Sequence, residues 1–256
     1  MTTKASWNPE QYLRFADERL RPVIDLIGRI AHPAPRRVVD LGCGAGNALP
    51  LLAARFPGAT VAGVDGSAAM LKKAAGAGFP VQQADIAHWT PDEPVDVLFS
   101  NAALHWLEDH ENLFPHLLGS LAPGGVLAVQ MPAMHAAPLR AQQDAIAHSG
   151  AWAARLEGIS SAPPILSAGA YYDLLRPRVN TLDLWFTEYL HVLHGADPVV
   201  QWAMGTSLRP YLDALDEEER PLFLREYEEA MRVAYPPRAD GAVLLPFRRF
   251  FLVAAL

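Results

Sequence analysis

Apolar residues in the first half of the chain recur in short blocks, and two kinds of spacing alternate between the blocks. Some blocks are continuous apolar runs rich in Val, which is typical of strands buried on both faces of a sheet. Other blocks repeat apolar residues three and four positions apart, which is typical of amphipathic helices. This alternation predicts strands at 36–42, 59–65, 79–85, 95–101 and 124–132, and helices at 47–57, 67–78 and 110–121.

The second half of the chain has longer polar and helical stretches. Its spacing predicts helices at 138–156, 197–215 and 216–235, a loop at 157–170, and extended segments at 181–193 and 242–256. Strands that alternate with helices imply right-handed crossovers and a parallel, doubly wound sheet. We therefore predict an α/β fold in which a mainly parallel, Rossmann-like sheet has seven strands, the last two being the late extended segments.

The domain organisation follows from these elements, because no repeat or Gly/Ser linker interrupts them. We predict a single domain over residues 1–256. Its core sheet covers about 30–132, 181–193 and 242–256, and a helical cap comes from about 133–180 and 195–240.

Composition limits where the protein acts and what it binds. The chain has one cysteine, Cys43, so it forms no internal disulfide, and its first residues lack the order of a secretion signal. We therefore expect a cytoplasmic protein. The net charge of −7 argues against nucleic acid as a partner, and no apolar run reaches the length of a membrane helix. An anionic small molecule would need a local basic pocket.

A glycine-rich turn follows the first predicted strand. Residues 38–47 read VVDLGCGAGN, with Gly42, Gly44 and Gly46 at alternate positions. In an open α/β sheet, such a turn lets a ligand approach the backbone at the carboxyl end of the strand. The spacing differs from the G-x-G-x-x-G of dinucleotide-binding proteins, and no Lys or Arg in the turn could hold a phosphate.

Acidic residues lie at the ends of the first three predicted strands. They are Asp40, Asp65 and Asp85, and the second has the position from which a carboxylate can hold ribose hydroxyls. Three acidic residues with no basic residue beside them suit a nucleoside that carries positive charge and no phosphate. S-adenosylmethionine, with an ammonium and a sulfonium, has this chemistry. The alternative is an ordinary strand-to-helix turn with acids at the helix starts.

The motifs resemble those of a known enzyme class. VVDLGCGAGN, GVDGSAAML, ADIAHW and LAPGGVLAVQMP are similar, in order and spacing, to the motifs of class I S-adenosylmethionine-dependent methyltransferases. More closely, nearly the whole chain resembles the trans-aconitate 2-methyltransferase family. The stretches that carry this closer resemblance are 7–22, 99–132, 170–175, 207–215 and 244–254.

The resemblance implies roles for individual residues. The residues that it places around the cofactor are Asp40, Gly42, Gly44, Asp65, Met70, Asp85, Ile86, Asn101 and Ala102. The residues that it directs at the substrate are His105, Trp106, Tyr171, Tyr172, Arg209 and Arg249. Guanidinium groups suit this task because they bind carboxylates through two parallel hydrogen bonds.

The activity implied is esterification of one carboxylate of trans-aconitate to a monomethyl ester, with S-adenosylhomocysteine as the second product. A carboxylate is already ionised at pH 7, so we expect no acid–base pair among the catalytic residues. The histidines have no metal-ligand spacing, and we expect no metal. Two alternatives stay open: methylation of another small or acyl carboxylic acid, and a non-catalytic module that binds S-adenosylmethionine.

Overall fold

The computed structural model describes residues 16–159 and 163–256. The N-terminal part of the resembling stretch 7–22 therefore lies outside the described residues. Within those ranges the chain forms one seven-stranded sheet in the order β3-β2-β1-β4-β5-β7-β6. The strands are β1 (Arg37–Leu41), β2 (Thr60–Asp65), β3 (Val81–Gln83), β4 (Val95–Asn101), β5 (Leu121–Pro132), β6 (Thr181–Leu193) and β7 (Val243–Ala255).

Nine α-helices lie within the described ranges. They are α1 (Ala16–Gly28), α2 (Leu49–Arg55), α3 (Ala68–Gly76), α4 (His110–Gly119), α5 (Pro138–Ala147), α6 (Ala168–Leu175), α7 (Pro198–Met204), α8 (Arg209–Ala214) and α9 (Glu219–Ala234). In this part of the chain, no helix is both long enough and apolar enough to cross a membrane.

Strand pairing confirms the predicted doubly wound, mainly parallel sheet. Strands β1 to β5 pair in parallel, and β7 runs antiparallel to β5. The central strands are buried on both faces, which explains why their sequences are continuous apolar runs. The chain passes from β1 outward to β3 and then returns to β4 on the other side of β1. This reversal opens a crevice at the carboxyl ends of β1 and β4, where open α/β sheets bind ligands.

Two compact units make up the chain. The sheet unit comprises residues 17–132, 165–187 and 249–256. Among the described residues, the helical unit includes 133–159, 163–164 and 188–248. It has its own apolar core, in which Trp152 packs edge-on against Phe223 with 5.4 Å between ring centroids. Helix α6 belongs to the sheet unit, so this division differs from the boundary predicted at residue 180.

Several helices are shorter than their spacing predicts. The helix predicted at 197–215 is divided into α7 and α8, because Gly205 ends the first and Pro210 occupies the first turn of the second. Helix α6 begins at the end of the predicted loop 157–170. Ser167 caps it by accepting a hydrogen bond from the backbone N–H of Ala170 at 3.1 Å.

Candidate active site

The glycine turn after β1 is held against β2 and leaves its own backbone accessible. Gly42 and Gly44 have φ angles of 80° and 55°, which glycine adopts without strain. The Gly42 N–H donates to the carbonyl of Val64 at 2.7 Å. A Cβ atom on Gly42 would lie 2.2 Å from the Cβ of Ala103, whereas a Cβ on Gly44 would meet no heavy atom within 4 Å. The turn is therefore tightly packed on one side and open on the other.

Asp65, at the end of β2, is fixed in orientation by two backbone donors. Its Oδ2 accepts from the N–H of Gly44 at 2.8 Å, and its Oδ1 accepts from the N–H of Ser67 at 2.8 Å. Ser67 in turn caps α3 by accepting from the N–H of Met70, whose side chain is buried. Each carboxylate oxygen keeps a lone pair, so Asp65 can still accept hydrogen bonds from two hydroxyls of a ligand.

Asp40 is almost fully buried at the end of β1, with 2% of its surface exposed. Burial, and then the charge of Asp65, raise the pKa of Asp40 to about 8. A cation placed next to this carboxyl would favour its ionised form. Burial and the same two carboxyls also raise the pKa of the neighbouring Cys43 thiol, so Cys43 is not a nucleophile at neutral pH.

The loop after β3 provides the third acidic residue. Asp85 is exposed and accepts from the N–H of Ala87 at 3.0 Å, and its other oxygen lies 3.2 Å from Nδ1 of His88. The Cδ1 atom of Ile86 lies 3.5 Å from the position that a Cβ would take on Gly42. Ile86 therefore borders the glycine turn, and Asp85 lies beside it in sequence at the solvent-facing end.

The chain leaves β4 through a strained residue. Asn101 ends β4, and Ala102 has a φ of 53°, which is uncommon for a residue with a side chain. The N–H of Ala102 donates to the carbonyl of Gln130 on β5 at 2.9 Å. The buried Oδ1 of Asn101 has no hydrogen-bond partner among the described residues. A buried acceptor of this kind indicates a place for a ligand donor.

His105 and Trp106 follow in a short 3-10 turn. The ring of His105 is buried and lies 4.7 Å, between centroids, from the ring of Trp106. Trp106 has 43% of its surface exposed. The two side chains thus form a continuous surface from the interior of the sheet unit to solvent.

Arg249 lies on β7, opposite Pro132 of β5, and only 4% of its surface is exposed. Its Nη1 donates to Oε1 of Gln130 at 3.2 Å. The predictions from sequence include Arg249 but omit Gln130. The signal that could have found Gln130 is a single amide side chain within the apolar run of β5.

The two tyrosines of α6 have different surroundings. Nε2 of His110 donates to the carbonyl of Leu104 at 3.0 Å, so Nδ1 of the neutral ring accepts from the Tyr171 hydroxyl at 2.5 Å. Burial lowers the pKa of His110 and raises the pKa of Tyr171, so both groups are neutral near pH 7. The hydroxyl of Tyr171 is already bonded, while Tyr172 has 50% of its surface exposed.

Arg209 lies in the helical unit, at the first residue of α8. Its Nε bonds to Oδ2 of Asp213 at 3.4 Å, one helical turn away. The same unit contains a buried polar cluster that the sequence does not predict. In it, Nε2 of Gln143 donates to Oγ of Ser207 at 2.8 Å, and burial lowers the pKa of Arg140.

The sheet unit fits S-adenosylmethionine on structural grounds. The cradle at Gly42 and Gly44 would be filled or strained by side chains, and the oriented Asp65 carboxylate suits ribose hydroxyls. The buried Asp40 and the unsatisfied Asn101 Oδ1 both suit a cationic donor. The described residues therefore offer acceptors for a positively charged nucleoside on β1, β2 and β4, and a guanidinium on β7.

Comparison with solved structures supports the fold. The YcgJ protein from Bacillus subtilis matches with a TM-score of 0.59 at 15% identity, over 92% of this chain and 97% of that one. A methyltransferase described as putative, from Bacillus halodurans C-125, matches with a TM-score of 0.56 at 14% identity, over 92% and 98% of the two chains. At these identities, the similarity shows the fold alone.

Comparison of sequences shows the family. A family model described as a methyltransferase domain matches residues 12–175. The trans-aconitate 2-methyltransferase of Azoarcus sp. (strain BH72) is 48% identical over 97% of this chain and 98% of its own length. That of Methylobacterium radiotolerans is 49% identical over 98% of both chains. With this identity over nearly its full length, the chain belongs to the trans-aconitate 2-methyltransferase family.

Proposed function

We propose that this protein, an S-adenosylmethionine-dependent methyltransferase, esterifies one carboxylate of trans-aconitate and releases a monomethyl ester and S-adenosylhomocysteine. One observation in the structure carries the choice of an acidic substrate. Arg249, a buried guanidinium, shares the sheet unit with the cofactor cradle and is bonded there to Gln130. The choice of trans-aconitate among acids rests on the family relatives, which are trans-aconitate 2-methyltransferases.

The proposed cofactor contacts follow the chemistry of each acceptor. Asp65 holds the ribose hydroxyls, since its two oxygens are already oriented by backbone donors. Asp40 and the open side of the glycine turn face the methionine moiety. Asp85 accepts from the adenine amino group, with Ile86 beside the ring. Met70, Asn101 and Ala102 complete the proposed cradle.

The chemistry makes few demands on acid–base residues. When bound, S-adenosylmethionine would supply an electrophilic methyl group to a carboxylate oxygen, with an oxygen–carbon bond replacing the carbon–sulfur bond and the neutral thioether as leaving group. A carboxylate with an ordinary pKa near 4 is ionised at pH 7, and the step moves no proton. The residues of this chain therefore act by orientation, which can lower a barrier by up to about 7–11 kcal/mol when the reacting groups are well aligned.

The substrate contacts that we propose lie in the sheet unit. Arg249 pairs with a carboxylate, and His105, Trp106 and Tyr172 border the substrate. The hydroxyl of Tyr171 is already bonded to His110, so we assign Tyr171 to stability and not to a substrate contact. For Arg209, in the helical unit, a substrate contact stays a prediction from the resemblance. The cap role of that unit and the cytoplasmic location stay predictions as well.

Product analysis by mass spectrometry tests the proposal. The protein is mixed with S-adenosylmethionine and, separately, trans-aconitate, cis-aconitate, isocitrate, a dicarboxylate and a fatty acid. We expect trans-aconitate to gain one methyl group most efficiently. Preferred methylation of another acid would refute the substrate, and tight cofactor binding without any ester would support the non-catalytic alternative instead.

A further inference from the structure

Gln130 is an amide in a position that otherwise favours apolar residues. It lies in the central strand β5 with 0% of its surface exposed, and residues 126–131 of that strand are all buried. The register pairs Gln130 with Asn101 on β4 and with Phe251 on β7. Side chains at paired positions share a face of the sheet, and Arg249, two residues from Phe251, lies on that face too.

The orientation of the Gln130 amide is fixed by its neighbour. Its Oε1 accepts from Nη1 of Arg249, and a flipped amide would direct its own N–H groups at a guanidinium that only donates. Nε2 must therefore point away from Arg249. This buried nitrogen has no hydrogen-bond partner among the described residues. Buried donors without acceptors are rare in folded proteins, and an unsatisfied one beside a guanidinium indicates a site for an anionic acceptor.

Contacts within the sheet unit connect this amide to the cofactor cradle. The carbonyl of Gln130 accepts from the N–H of Ala102, and the next residue, Ala103, packs directly against Gly42 of the glycine turn. Gln130 is thus connected through Ala102 and Ala103 to the glycine turn that we assign to the cofactor. A group held by its Nε2 would lie at the carboxyl ends of β4 and β5, beside that cradle.

We propose that Gln130 is a substrate-binding residue whose Nε2 donates to one oxygen of the trans-aconitate carboxylate paired with Arg249. This inference rests on the proposed function and extends it to a residue that the sequence does not predict. The amide bridges two partners of opposite chemistry, because Oε1 holds the guanidinium and Nε2 holds the carboxylate. The neighbouring Asn101 Oδ1 needs a donor, which a carboxylate lacks, so we assign it no contact with the substrate carboxylate.

Two substitutions at Gln130 separate these contacts. Gln130→Met keeps a similar volume and removes both hydrogen bonds, and a lost bond to a charged group predicts a rise of about 10- to 100-fold in KM for trans-aconitate. Gln130→Glu keeps the contact with Arg249 but presents an anion to the substrate, so its KM should rise further. The KM for S-adenosylmethionine should stay within about twofold, since the cradle is unchanged.

Gln143→Met is the matched control. Gln143 is also fully buried, and its amide bonds Ser207 and Tyr227 in the helical unit. This variant loses buried hydrogen bonds and stability without touching the proposed carboxylate site. We expect it to keep the wild-type KM for trans-aconitate. An equal rise in KM for Gln143→Met and Gln130→Met would assign the effect to general destabilisation and overturn the inference.

Binding without turnover provides a second readout. Isothermal titration of trans-aconitate into each variant, saturated with S-adenosylhomocysteine, should show the same ranking of affinities as KM. A wild type that methylates trans-aconitate while the Gln130 variants bind it normally would overturn the inference alone. A wild type that binds trans-aconitate through Gln130 but does not methylate it would refute the proposed reaction and keep the site. No binding to the wild type would refute both.

Discussion

Asp40→Asn tests whether the protein gives up stability to hold a cofactor cation. The folded-state pKa of Asp40 is about 8, against an ordinary value of 3.8. Between these pH values the folded protein keeps a proton that the unfolded chain has released, so stability falls as pH rises. The resulting cost is up to about 4 kcal/mol at pH 7 and between about 1 and 2 kcal/mol at pH 5. Asparagine has a similar shape and does not titrate, so it avoids this cost.

Urea unfolding without cofactor measures the difference. The six tryptophans of the chain provide a fluorescence signal for the transition. We expect Asp40→Asn to be more stable than the wild type at pH 7, and this advantage to shrink by about 3 kcal/mol at pH 5. Asp92→Asn removes an exposed carboxylate and is the matched control, with no comparable change. Parallel pH curves for the wild type and Asp40→Asn would refute the reasoning.

The same carboxyl should make cofactor binding depend on pH. If only the ionised form of Asp40 binds the cofactor ammonium, affinity for S-adenosylmethionine should rise about fifty-fold from pH 6 to pH 8. Titration calorimetry in buffers of different ionisation enthalpy should then detect a released proton at pH 7. Asp40→Asn should bind about 10- to 100-fold more weakly at pH 8 and release no proton. A wild-type affinity independent of pH would contradict this role.

Further substitutions test the glycine turn and the two tyrosines. Gly42→Ala and Gly44→Ala both place a side chain at positive φ, at a cost of about 1–2 kcal/mol each. Only the first also meets Ala103, so urea unfolding should show an additional loss of about 1–3 kcal/mol for Gly42→Ala, and equal losses would contradict the packing described. Tyr171→Phe should cost about 1–3 kcal/mol of stability and keep the KM for trans-aconitate, because its hydroxyl bonds a buried histidine. Tyr172→Phe, which is exposed, should change stability by less than about 0.5 kcal/mol, and a raised KM for Tyr171→Phe alone would reverse the two assignments.

The sheet is predictable from sequence because its signals are local, and the acidic residues that we assign to the cofactor have local signals as well. A central parallel strand is buried on both faces, so its sequence is a continuous apolar run. Asp65 is the last residue of β2 and Asp40 the last but one of β1, and parallel strands bring their carboxyl ends to one edge. The break between α7 and α8 also has local causes, Gly205 and Pro210, but the single helix predicted at 197–215 missed it.

The substrate contacts that we propose are less predictable from sequence, because they involve residues that are distant from one another in the chain. Gln130 and Arg249 are 119 residues apart and meet only through the pairing of β5 with β7. An apolar run does not specify which strand will lie beside it, so this pair could not be derived. The two tyrosines are equally hard to tell apart from sequence. Tyr171 is buried and bonded to His110, whereas Tyr172 is exposed, and two identical residues side by side give no sign of this difference.

The order of strands separates Asp40, which we assign to the cofactor, from Arg249, which we assign to the acidic substrate. Asp40, Asn101, Gln130 and Arg249 lie on successive strands β1, β4, β5 and β7 and, by register, on one face of the sheet. Neighbouring strands are about 4.8 Å apart, so the backbones of β1 and β7, three spacings from each other, lie about 14 Å apart across the sheet. Two opposite unit charges at that distance attract each other by only about 1 kcal/mol with an effective dielectric constant near 20. With a pKa of about 8, Asp40 is moreover mostly protonated at pH 7 before a cation binds. This separation is compatible with the two roles that we propose, a cationic cofactor at Asp40 and an anionic substrate at Arg249.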